Sequence, residues 1–92
     1  MTEINFRVIE ALRQRVLLRG EDMAWLFKVS RMTYYSWVTG KTGIRPRNAV
    51  NVRRGLRELM DLIARGEWPT PEAVAADPPR RRELLEQKIK RG

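Results

Sequence analysis

Apolar residues recur every three or four positions through Phe6, Ile9, Leu12, Val16 and Leu17, the period of a helix with one buried face. Thr2 or Asn5 can cap that first helix and Gly20 is placed to stop it. Glu21 and Asp22 then suit a helix N-terminus, and Met23, Leu26 and Phe27 give a second, short apolar face ending at Lys28. A third helix is predicted after Ser30, whose hydroxyl can accept from the backbone N–H of Met32 or Thr33. Tyr34, Trp37 and Val38 turn inward and Gly40 ends it. Lys41 to Arg45 reads as a basic loop. Pro46 fits the first turn of a longer fourth helix, where its missing donor is not needed, and Ala49, Val52, Leu56, Leu59, Met60 and Ile63 supply the inner face until Gly66 closes it.

Two proline-bearing stretches follow, Trp68 to Pro71 and Asp77 to Pro79, and they punctuate the chain. Glu72 to Ala76 can make one helical turn between them. From Pro79 onward Leu84, Leu85 and Ile89 are the large apolar residues, too few to dock a helix firmly without help. The pattern therefore predicts an all-α protein: a small domain over residues 1–66, four to five helices in all, and a C-terminal extension over 67–92. That extension is expected to be a basic tail, helical or disordered, mobile unless a partner orders it.

Ninety-two residues suffice for one core but not for a cofactor-binding enzyme with a separate substrate domain. The chain has no Cys and no His, which excludes disulfides, Cys/His zinc sites and imidazole bases. No paired carboxylates stand in an apolar setting, so neither an enzyme nor a cofactor is expected. No apolar run approaches the roughly 18 residues of a membrane span; a cytoplasmic, nucleoid-associated protein without a membrane partner is the expectation. Thr39 to Thr42 imitates the end of a phosphate-binding P-loop, but the required earlier glycine would fall at Tyr35 and the segment follows a helix.

Charge sharpens the picture. Lys and Arg total 19 against 11 acids, a formal net charge of +8, and between Met23 and Arg57 there are eight Lys or Arg and no acid. Such a surface is uniformly attractive to phosphate. Within it, Gly20 to Lys41 resembles the helix-turn-helix of the Cro and lambda-repressor group (XRE-type), a family of small phage and mobile-element regulators. Ala24, Val29, Ser30, Trp37, Gly40 and Lys41 carry the likeness, and with the flanking helices it spans about residues 4 to 65. Lys28 stands where the family commonly has Gly, so the turn must hold a side chain in a left-handed conformation, at a cost of about 1 kcal/mol. Tyr34 stands where a smaller Val or Ile is usual.

The resemblance implies that the third helix enters the DNA major groove, with Ser30, Arg31, Met32, Tyr35, Ser36 and Thr39 facing the bases. Arg31 is the foremost of these, because a guanidinium pairs bidentately with guanine O6 and N7. Lys41, Thr42, Arg45, Arg47 and Asn48 would lie along the phosphates and position without specifying. Arg53, Arg54 and Arg57 can reach phosphate or merely solvate the fourth helix. Arg80, Arg81 and Arg82 with Lys88, Lys90 and Arg91 would add unselective affinity.

The expected function is thus a sequence-specific regulator of transcription, a homodimeric repressor reading palindromic double-stranded DNA with two helices about 34 Å apart. Trp68, Leu84, Leu85 and Ile89 are candidates for the dimerisation surface, although Trp68 is equally suited to pack on its own helix bundle. The alternative is a protein-interaction module (antitoxin, adaptor or anti-host factor) using the same scaffold to meet an acidic protein. RNA is disfavoured, since no aromatic stacking platform or glycine-bearing clamp loop is evident.

Overall fold

The computed structural model describes residues 4–89, and all regular structure among them is helical. The elements are α1 (Phe6–Arg15), α2 (Gly20–Leu26), α3 (Arg31–Val38), α4 (Pro46–Ala64), α5 (Pro71–Ala75) and α6 (Pro78–Lys88). Side chains satisfy the free N–H groups at the helix starts. Asn5 Oδ1 accepts from Arg7 N at 2.9 Å, Ser30 Oγ from Thr33 N at 3.1 Å, Thr70 from Ala73 N at 3.1 Å and Asp77 from Arg80 N at 3.0 Å. At α2 the acid reaches backwards, Asp22 Oδ2 accepting from Arg19 N at 2.8 Å. Thr2, the other predicted cap of α1, lies outside the described residues.

The first four helices end alike. Leu17, Lys28, Gly40 and Gly66 have φ of 64°, 60°, 79° and 70°, and in each case the next residue's N–H closes back across the last turn. Those bonds run from Leu18 N to Arg13 O, Val29 N to Ala24 O, Lys41 N to Ser36 O and Glu67 N to Leu62 O, at 2.8–3.0 Å. This is the Schellman arrangement. Glycine fills the left-handed position twice; Leu17 and Lys28 fill it against steric preference. The expectation for Gly20 is corrected: α1 stops at Leu17, and Gly20 is the first residue of α2. Glycine there lets the Tyr35 ring lie close, since a Cβ would sit 2.2 Å from the Tyr35 hydroxyl and the ring would have to swing aside.

One continuous core joins the whole described chain. Met23, Leu26, Phe27, Tyr34, Val52, Leu59 and Leu85 are its fully buried centre. Gly55 lets α4 cross the end of α2 closely, because a Cβ at that position would meet the Leu26 carbonyl at 2.8 Å. Met60, predicted inside, is half exposed. It lies about 100° around the helix from Leu59, and Leu62 takes the inner position instead.

The C-terminal segment departs most from expectation. Of the two expected forms, helical or disordered, it is helical, but it is not a mobile tail: Trp68, Ala73, Leu84, Leu85 and Ile89 are all buried in the common core. Hydrogen bonds that an apolar count ignores account for this. The Trp68 indole donates to Val16 O at 3.1 Å, at the end of α1. Arg81 donates to Ala73 O and Ala76 O at 2.8 Å each and to Leu17 O at 3.4 Å. Arg82 lies 3.4 Å from Asp22 Oδ1 and 5.2 Å from the centre of the Trp25 ring. Its Nε, 2.8 Å from Glu86, forms an ion pair without hydrogen-bond alignment.

Candidate functional site

The outward face of α3 owes its placement to its inward face. Tyr34 and Trp37 are buried and pack against Phe6 with ring centroids 6.1 and 5.6 Å away; Phe27 lies 6.0 Å from Tyr34. The Tyr34 hydroxyl donates to Glu10 Oε2. Arg13 grips the same carboxylate with two bonds of 2.8 Å and donates a third to Leu18 O at 3.0 Å. Burial alone would raise the Glu10 pKa, but hydrogen bonds from Arg13 and Tyr34, with the Arg13 charge, outweigh it and hold the carboxyl below its ordinary value. Burial first, and then the bond to Glu10, push the Tyr34 phenol far above its usual range. The phenol therefore stays a neutral donor that anchors α3 to α1.

With that face fixed, helical spacing places Met32, Tyr35, Ser36 and Thr39 along one outer stripe, with Arg31 beside it. Met32 is 81% exposed, and Arg31 is also exposed. Tyr35 is 43% exposed, its ring standing over Gly20 and edge-on to Tyr34 at 5.7 Å. Two of the predicted base-facing hydroxyls are tied to their own helix. Ser30 caps Thr33 and donates to Thr33 Oγ1 at 3.0 Å; Thr39 donates to Tyr35 O at 2.8 Å. Ser36 is partly buried.

Beside α3 lies a cleft of about 540 Å³ between the α2–α3 turn, the loop after α3 and the start of α4. Lys28, Arg45 and Arg47 supply its charge, and Thr33, Thr42, Asn48 and Asn51 supply hydrogen-bonding groups. Four of the five residues predicted for phosphate are thus brought together; Lys41 is exposed but does not line the cleft. Lys28, Thr33 and Asn51 were missed. Asn51 was findable, being one turn beyond Arg47 on the same helix. In the sequence Lys28 reads only as a strained turn residue; the same left-handed turn puts it on the cleft wall.

The chain's charge is segregated with this geometry. All of the +8 net charge belongs to residues 23–57, and the rest of the sequence carries eleven basic and eleven acidic residues. The expected basic tail is corrected here. Arg80 pairs with Glu72 at 3.2 Å, Arg81 and Arg82 are spent on the contacts given above, and Lys88 lies 3.9 Å from Glu67. Lys90 and Arg91 lie outside the described residues. The dimerisation candidates Trp68, Leu84, Leu85 and Ile89 are 2%, 8%, 0% and 5% exposed. They have been consumed by the chain's own core and offer no surface to a second copy.

Among the described residues no helix is long and apolar enough to cross a membrane. Comparisons with protein-family models, curated proteins and solved structures found no match to this chain.

Proposed function

We propose that the chain is a DNA-binding regulator of transcription in which α3 reads the major groove and the adjoining basic cleft holds the phosphate backbone. The observation that carries this reading is the juxtaposition of a cleft charged by Lys28, Arg45 and Arg47 with the outer stripe of a rigidly anchored α3, inside a stretch of 35 residues that has no carboxylate. Phosphates prefer such an acid-free surface. The cleft lies at the start of α4, where the positive end of the helix dipole adds to the attraction for an anion, although Pro46 removes one N–H donor. Beside the stripe Arg31 carries the sequence choice, and within it Met32 is placed to pack on a thymine methyl. Ser30 and Thr39 contribute less than their positions suggest, because their hydroxyls already serve the helix.

The test is selection from a pool of random duplexes at about 150 mM salt, where bulk phosphate attraction is suppressed. An enriched motif that Arg31→Ala blurs supports the reading. An enriched palindrome would add a two-fold assembly, through a surface other than the buried C-terminal stripe. Recovery of no motif, with binding that vanishes as salt rises, would overturn sequence-specific recognition.

A further inference from the structure

A second large concavity lies away from the basic cleft, between the start of α1 and the middle of α4. It is about 990 Å³ in volume. Phe6, Val8, Leu56 and Met60 form much of its wall, and its charged liners among the described residues are Arg53 and Arg57. Val8 and Met60 are 63% and 50% exposed, which for a valine and a methionine side by side is hydrocarbon left open to water. Neither arginine enters an ion pair among the described residues. The floor of the groove is core, Ile9 and Trp37 being buried, but its rim residues Val8 and Met60 lie outside the core, and the proposed reading of DNA does not use them.

We infer that this groove docks an amphipathic helix of a partner protein, one whose apolar stripe is flanked by Asp or Glu. An apolar trough between two helices accepts the hydrophobic face of a third at i, i+3, i+4 and i+7, and a contiguous open apolar patch marks such a surface. The arginines select the occupant. Carboxylates on the flanks of the incoming helix answer Arg53 and Arg57, whereas a second copy in a two-fold arrangement would bring four guanidinium groups into one interface. Duplex DNA fits poorly, because Phe6, Val8, Leu56 and Met60, which make up much of the wall, offer phosphate no donor. Trp37 forms part of the wall of both this groove and the basic cleft, so the docked helix bears on the inner side of α3.

The test uses the full chain and two synthetic helical peptides with the same leucine stripe, one flanked by Glu and the other by Lys, without nucleic acid. The outcome is therefore independent of the DNA reading. The Glu-flanked peptide is expected to bind, to shift the Val8 and Met60 methyl resonances, and to bind roughly tenfold more tightly than the Lys-flanked one, two exposed ion pairs being worth that much together. Arg53→Glu with Arg57→Glu should reverse the preference. Both positions are exposed, and circular dichroism of the variant checks that it is folded. Absence of binding, equal affinity for the two peptides, or shifts confined to α3 would overturn the inference. So would sedimentation showing a dimer that Val8→Asp dissociates, or methyl shifts at Val8 and Met60 produced by duplex DNA, which would assign the groove to a second copy or to nucleic acid.

Discussion

Lys28 serves two purposes that pull in opposite directions. Its φ of 60° is a conformation in which a side chain costs about 1 kcal/mol relative to glycine, while its ammonium lines the basic cleft. Lys28→Gly is expected to raise the thermal midpoint by several degrees, about 1 kcal/mol of stability for a chain of this size. It should at the same time weaken binding to every duplex and reduce the slope of log K against log salt by about one. A melt and a salt titration on one protein measure both, and a gain in binding would sink the cleft assignment. The turn at Lys28 was legible because Ala24, Val29 and Ser30 surround it in a recognisable spacing. Gly55 was not: a glycine inside a helical run reads only as a weak helix former, and its purpose appears when the Leu26 carbonyl comes within reach.

Apart from the end of α1, where Leu17 and not Gly20 takes the left-handed position, helix boundaries followed from caps and periodicity for α1 to α4, where Asn5, Ser30, Pro46, Gly40 and Gly66 act locally. The helices after Gly66 were harder to read because what docks them is not local. Three consecutive arginines look equivalent in sequence, yet Arg80 makes an exposed ion pair while Arg81 satisfies the carbonyls of Ala73 and Ala76. Arg81→Ala should therefore cost about 2–3 kcal/mol, having left partly buried acceptors unpaired, and Arg80→Ala less than about 1 kcal/mol. Urea unfolding distinguishes them; equal losses would mean that the carbonyl bonds carry no weight. The α1–α3 tie makes a separate prediction. Because the folded-state pKa of Glu10 is depressed, its contribution to stability is present above the unfolded value of 4.5 and is lost as pH falls through the lower folded value. Glu10→Gln should flatten that part of the acid limb in a pH series of melts, and an unchanged limb would mean that other carboxylates govern it.

The molecule as a whole separates its charges: one stretch bears the net positive charge and the remainder is balanced. Arg45→Ala and Arg47→Ala are each expected to lower the salt slope by about one with little change in sequence preference, whereas Arg31→Ala should alter preference more than slope. Binding isotherms at several salt concentrations on selected and random duplexes make the comparison, and identical behaviour of Arg31 and Arg45 variants would remove the distinction between reading and holding. The basic cleft was largely legible because charge and loop position coincide in the sequence. The apolar groove was not. Its walls come from α1 and α4, and the outward turn of Met60 depends on how α4 rolls to seat Gly55 against α2.

The corner between α1 and α2 is finished from the far end of the chain: Trp68 bonds Val16, Arg81 bonds Leu17, and Arg82 meets Asp22. On the ribosome those partners are synthesised after the corner they close. A nascent chain that has reached Gly66 still lacks the contacts of Trp68, Arg81 and Arg82 to that corner. The order of synthesis thus delays closure of that corner until α6 has emerged, and a protease that severed the chain after Gly66 would strip the corner of the same contacts.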